Sequence, residues 1–159
     1  MADLNKPELV IVRLLDAPID KVWQAWTNAR SIEQWWGPRG VTIPTCEWEA
    51  KSGGKINIVM LAGPELGPMS GQEWPMMGEF VEVSPPQKLV FNGSAMANGQ
   101  AILKTLNSLT LEDQAGKTKM TLKIQVIETT LAAEGPLAGM EIGWNQSLDK
   151  LTEFVRGRH

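Results

Sequence analysis

Between residues 117 and 127 the chain alternates strictly: Thr118, Met120, Leu122, Ile124 and Val126 fall on one side, and Lys117, Lys119, Thr121, Lys123 and Gln125 on the other. A period of two with one apolar side predicts a β-strand that has one wet face. The same period runs more loosely through 41–50, 54–61, 78–83, 88–95 and 108–113. These segments are separated by Ser52-Gly53-Gly54, Ser84-Pro85-Pro86, Asn98-Gly99 and Ala115-Gly116, residue types that favour turns. An earlier strand at 8–18, rich in Val, Ile and Leu, stops at Pro18.

Helical spacing appears elsewhere. Pro18 suits the first position of a helix and Asp20 complements its positive end, which predicts a short helix over 18–27 with Trp23 and Trp26 on one face. Asn28 is placed to cap a second short helix, 29–36, which Gly37-Pro38 ends. Near the C-terminus Met140, Trp144, Leu148, Leu151 and Val155 are spaced four, four, three and four apart and form one apolar stripe, thin in its first half at Gly139 and Gly143. Residues 64–76 hold three prolines and two glycines and read as irregular. No internal repeat interrupts this order.

A strand, two short helices, a run of antiparallel strands and a long final helix give an α+β order. A sheet with one wet face must cover the other. The final helix is the long amphipathic element available, so it is expected to lie across the sheet.

With 159 residues, 43% hydrophobic and 21% charged, the chain reads as a single domain over 1–159 with a real core. Its net charge of -3, from 15 basic and 18 acidic residues, includes no basic stripe, so neither nucleic acid nor an anionic membrane surface is an expected partner. No apolar run approaches the roughly 18 residues of a membrane span, and the start, MADLNKPELV, lacks a signal pattern. A cytoplasmic location is expected. One cysteine, Cys46, and one histidine, His159 at the last position, leave little for disulfide, histidine or metal chemistry, and no cofactor is expected.

Several segments together resemble a known family: DAPIDKVWQAWTNARSIEQWWGPRG, SGGKINIVM, GEFVEVSPPQKLVF and AGMEIGWNQSLDKLTEF. They are similar to the branch of the START/Bet v 1-like superfamily named for the C-terminal domain of the activator of Hsp90 ATPase. The resemblance implies a helix-grip fold, in which a curved antiparallel sheet of about six to seven strands holds the long C-terminal helix around an apolar cavity. It implies a pocket more firmly than any one activity. Where relatives tend to carry a tryptophan after the Leu-Val-Phe strand this chain has Gly93, expected to enlarge the cavity, and Trp74-Pro75-Met76 replaces a more polar aromatic pattern.

Trp35 and Trp36 are about 100° apart around a helix, so they cannot share one face. Either one anchors the short helices and the other faces the space under the final helix, their order staying open, or both are structural. The expected ligand-binding set is Arg13, Trp35, Trp36, Met60, Trp74, Met76, Phe80, Phe91, Met140 and Trp144. Met60, Met69, Met76, Met77 and Met96 add adaptable apolar surface. Arg13, inside an apolar strand, is read either as a polar handle for a ligand or as the partner of a neighbouring strand's glutamate.

Catalytic means are sparse. Glu47, Glu49, Glu79 and Glu82 form a solvated set opposite Lys51, Lys55 and Lys88, Cys46 has no histidine partner, and GPELGPMSG lacks the lysine of a phosphate loop. The favoured expectation is therefore binding of an apolar, lipid- or polyketide-like small molecule, without assigned catalytic residues. The alternatives are a cavity enzyme of cyclase or hydrolase type using Arg13 and carboxylates, and an Hsp90-interacting module, ranked last. Homodimerisation through a strand edge or the segment 64–76 is left open.

Overall fold

The computed structural model describes residues 8–97, 99–129 and 134–156, and among these the side chains of all but 129 and 134–139. Seven strands, β1 (Glu8–Leu15), β2 (Val41–Trp48), β3 (Lys55–Ala62), β4 (Glu73–Ser84), β5 (Lys88–Ala97), β6 (Gln100–Gln114) and β7 (Lys117–Thr129), form one sheet in the order β1-β7-β6-β5-β4-β3-β2. Every neighbouring pair is antiparallel. Helices α1 (Ile19–Thr27) and α2 (Ala29–Trp35) follow β1, and α3 (Glu134–Arg156) closes the chain. This is the helix-grip architecture expected.

Boundaries moved for identifiable reasons. Pro18 is the extended cap of α1 (φ -68°, ψ 155°) and not its first helical residue. Asn28 caps α2 as expected, its side chain accepting from the amides of Arg30 and Ser31 at 2.9 and 3.3 Å. Part of the irregular stretch is strand: after a short 3-10 turn at Pro64–Met69, β4 starts at Glu73. Pro75 is tolerated there because β4 pairs with β3 at that point, while pairing with β5 begins only at Met76. Strand β6 begins eight residues before the expected 108, and its register slips between Lys104 and Thr105 against β7, which breaks the alternation.

The core lies between the inner sheet face and the helices. Trp26, Trp35, Phe80, Phe91, Leu109, Met120, Leu122, Leu148 and Leu151 are fully or almost fully buried. The two sheet edges differ. Strand β2 carries Pro44 and a register shift between Thr42 and Thr45, whereas β1 has neither and exposes Val10, Val12 and Leu14 on its outer side.

Candidate functional site

The adjacent tryptophans diverge as their helical angle requires. Trp35 is sealed and its Nε1 donates to the carbonyl of Ala25 at 2.9 Å; Trp48 does the same to Trp26 at 2.7 Å. Both acceptors lie in the last turn of α1, where backbone carbonyls lack helical partners. Trp35 is thus the anchor. Trp36 turns the other way, its ring 5.3 Å from those of Trp48 on the sheet and Trp144 on α3, and 6.4 Å from Phe91. It stands between sheet and helix.

Gly37 makes that placement possible. Its φ of +90° suits glycine, and a Cβ there would meet Val41 Cγ2 at 2.6 Å and the Met60 sulfur at 2.9 Å. Met60 therefore packs directly against the turn that ends α2.

Strand register arranges the inner face in rows. Met60 lies opposite Trp74; Ile58, Met76, Ala95 and Leu103 form the next row; Gly78, Gly93, Thr105 and Val126 the third; Phe80, Phe91, Asn107 and Ile124 follow across the sheet. The buried end of this face is closed by an aromatic cluster, with Trp48, Phe80 and Phe91 mutually 5.1 to 5.9 Å apart. Toward the other end sealing fails: Met60, Trp74, Met76, Ala95 and Thr105 all keep some contact with solvent although they occupy core-facing positions. So do Met140 and Trp144 on α3, while Leu148, Leu151 and Val155 further along the same stripe are buried. A Cβ at Gly143 would meet nothing within 4 Å. Gly139's surroundings lie outside the described residues, as does His159.

Two expectations are corrected by the geometry. Gly93 does not by itself add room, because a Cβ there would meet the Met76 sulfur at 2.8 Å: the flexible thioether has moved into the vacated volume. Among the described residues Arg13 pairs with no strand glutamate. Its Nη1 donates to Asp149 at 2.7 Å and its Nη2 to the Asn145 side chain at 2.9 Å, both on α3, so the guanidinium ties the edge strand to the helix. The expected methionine set also divides, since Met69 and Met77 are exposed. Met77 and Met96 line a shallow groove of about 370 Å³ on the outer face, with Glu79, Asn92, Ser94 and Lys104.

Three polar features escaped the sequence reading. Thr105 and Asn107 face inward from β6 with hydrogen bonds to each other. Trp26 Nε1 is buried without an acceptor among the described residues, its ring meeting that of Trp35 at 4.7 Å in an edge-on contact. Lys150 Nζ donates to the carbonyls of Trp36 and Pro38 at 3.4 and 3.5 Å; burial, then the nearby Arg39 charge, holds its ammonium below the usual lysine range. Only the inward-facing i, i+2 pair could have been sought in advance, and the register slip before Thr105 hid it.

Cys46 Sγ donates to the Ala29 carbonyl at 3.6 Å, and burial, aided by Glu33, pushes the thiol up to about 11. Glu82 pairs with Lys88 at 3.5 Å, and Glu49 accepts from the Lys55 amide at 3.0 Å. Among the described residues no three histidine, cysteine or acidic side chains gather as a metal site, and no helix is long and apolar enough to cross a membrane.

The family model described as activator of Hsp90 ATPase homolog 1-like protein matches residues 16–156. A crystal structure of a protein from Chromobacterium violaceum superposes with a TM-score of 0.81 over 99% of this chain and 100% of its own, at 22% identity. A Mycobacterium smegmatis protein gives 0.78 over 100% and 96% at 19% identity. A Silicibacter pomeroyi protein bearing the same family name gives 0.76 over 92% and 96% at 21% identity. These likenesses concern the fold. No protein of curated function matches the chain.

Proposed function

The chain belongs to the activator of Hsp90 ATPase homolog 1-like family, and from that premise we propose that it binds an apolar small molecule between the inner sheet face and the first half of α3. One observation carries this reading. Core-facing residues at that end, Met60, Trp74, Met76, Met140 and Trp144, remain half-buried while their counterparts deeper along the same faces are sealed. Ordinary core rows close on themselves, because each unfilled contact forfeits packing energy. Exposed apolar surface kept on the inside of a fold favours a guest.

Within the expected set, Met60, Trp74, Met76, Met140 and Trp144 supply the contact surface and Trp36 the inner wall. Phe80 and Phe91 back that wall, Trp35 holds α2 in place, and Arg13 ties β1 to α3 without joining the contact surface. Thioethers and indoles adapt to shape, which suits lipid-like or polycyclic aromatic guests. A ligand of about 20 heavy atoms at about 0.3 kcal/mol each would bind near -6 kcal/mol, in the tens of micromolar.

This is a binding reading in place of a catalytic one. The only thiol is held protonated against a backbone carbonyl, Glu82 pairs with Lys88 and Glu49 accepts from the Lys55 amide. We place the protein in the cytoplasm, where Cys46 stays reduced. The reading is tested by titrating tryptophan emission with fatty acids, polycyclic aromatics and lipids. Saturable changes that compete with one another are expected, and a flat response across the panel, corrected for quenching, would overturn it.

A further inference from the structure

Among the described residues, two uncharged polar side chains face inward from β6 near the apolar end of the inner face. Thr105 and Asn107 point inward from β6, in the middle of the sheet, in the rows of Gly93 and Phe91. Thr105 keeps solvent contact, and Asn107 is 2% exposed. On α3, Met140 packs against Leu103 and Val126, and Trp144 lies against Trp36. Thr105, paired with Val126 across the sheet, belongs to the floor beneath that stretch of helix.

The hydrogen bonds of this pair are poor. Asn107 Nδ2 donates to the Phe91 carbonyl at 3.3 Å and to the Thr105 hydroxyl at 3.2 Å, while the hydroxyl reaches the Gly93 carbonyl and Asn107 Oδ1 only at 3.5 Å. One hydroxyl proton cannot serve both acceptors. Among the described residues, Oδ1 therefore has at most one long partner, and the hydroxyl donates to only one of its two distant acceptors. A valine and a leucine would pack a core row at lower cost than two half-satisfied polar groups.

The surroundings set the charge. The Arg13 guanidinium is engaged by Asp149 and Asn145, and Lys150 Nζ lies against the carbonyls of Trp36 and Pro38 at the flank of α3. A carboxylate drawn down to Thr105 would lose its water without gaining a counter-charge.

We infer that Thr105 and Asn107 are the anchor for an uncharged oxygen, a hydroxyl or carbonyl, on an otherwise apolar ligand. This rests on the apolar-ligand reading and narrows it. The guest's oxygen replaces the long Thr105–Gly93 and Thr105–Asn107 contacts with hydrogen bonds of ordinary length, and its hydrocarbon body lies against Met76, Met140 and Trp144.

The test compares naphthalene, naphthol and naphthoate, followed through the indole N–H resonances of the full chain and of Thr105→Val, which keeps the shape and removes the hydroxyl. Naphthol is expected to bind roughly three- to tenfold tighter than naphthalene, the worth of one hydrogen bond, with naphthoate weaker than naphthol. In Thr105→Val the advantage of naphthol over naphthalene, measured as the ratio of their affinities in the same variant, should disappear. Binding of naphthalene with no advantage for naphthol, an advantage that survives Thr105→Val, or naphthoate binding tightest would each overturn the inference while leaving an apolar site in place. No binding by any of the three would overturn the site and the inference together.

Discussion

Arg13 on the edge strand and Asp149 on the terminal helix, 136 residues apart in the chain, are joined by a charge-assisted hydrogen bond of 2.7 Å. Asn145, one helical turn before Asp149, takes the other guanidinium nitrogen at 2.9 Å. The fork fits two acceptors on one helix face, which a lysine could not match. Because Asp149 is half exposed, the ion pair itself is worth little, and the packed stem of Arg13 adds to it. Asp149→Asn is expected to cost about 0.5–1 kcal/mol and Arg13→Ala about 1–2 kcal/mol in urea denaturation. Neither should shift the affinity for naphthalene by more than about twofold, within the error of one surface change. A large loss of affinity in Arg13→Ala that Asp149→Asn does not share would return Arg13 to the binding set.

Trp35 and Trp36 should separate in the same two measurements. Trp35→Phe leaves the Ala25 carbonyl without its indole donor in a sealed site, an expected cost of about 1–3 kcal/mol with little change in ligand affinity. Trp36→Phe removes ring area beside Trp144 and Trp48 and should alter affinity more than Trp35→Phe does. Equal effects of the two on binding would mean that the wall facing α3 is misplaced.

At Gly93 the expectation concerns space. An added Cβ would meet the Met76 sulfur at 2.8 Å, and methionine can swing away on three rotatable bonds. Gly93→Ala should therefore cost at most about 1–2 kcal/mol and should push the thioether into the volume proposed for the ligand, weakening binding. In a Met76→Ala background the same substitution should no longer weaken it. The double-mutant cycle reads the coupling directly.

Cys46 provides a pH dependence with a definite sign. Its folded value, about 11, lies above the 9.0 of a free thiol, so the folded state resists ionisation. Its contribution is fully present below pH 9.0 and is lost as the pH rises toward about 11. Iodoacetamide at neutral pH is expected to label native Cys46 far more slowly than the unfolded chain, with the gap closing in urea. Rapid native labelling at neutral pH would contradict the half-buried, carbonyl-bound thiol.

Much of the fold is legible in local chemistry because local chemistry causes it. The alternation at 117–127, the cap at Asn28 and the stripe on α3 each express a backbone geometry that neighbouring residues impose on one another. Failures fall where a distant strand decides the matter. Glu73–Met76 is extended because β3 pairs with it despite Pro75, and the start of β6 is obscured because its register slips against β7 at Thr105. The candidate site shares this division. Indoles and thioethers could be nominated from their types, and the divergence of Trp35 from Trp36 follows from helical angle alone.

What the sequence by itself determined is therefore the order of elements, the side that 117–127 presents to the core and the need for the last helix to cover the sheet, since these rest on periods of two and of three to four residues. Only tertiary structure decided that Trp36 and not Trp35 faces α3, that Met76 occupies the room left by Gly93, that Arg13 holds the helix, and that Thr105 and Asn107 share the inner floor. Those outcomes depend on register and on side chains meeting across more than a hundred residues of chain, where sequence spacing carries no information about distance.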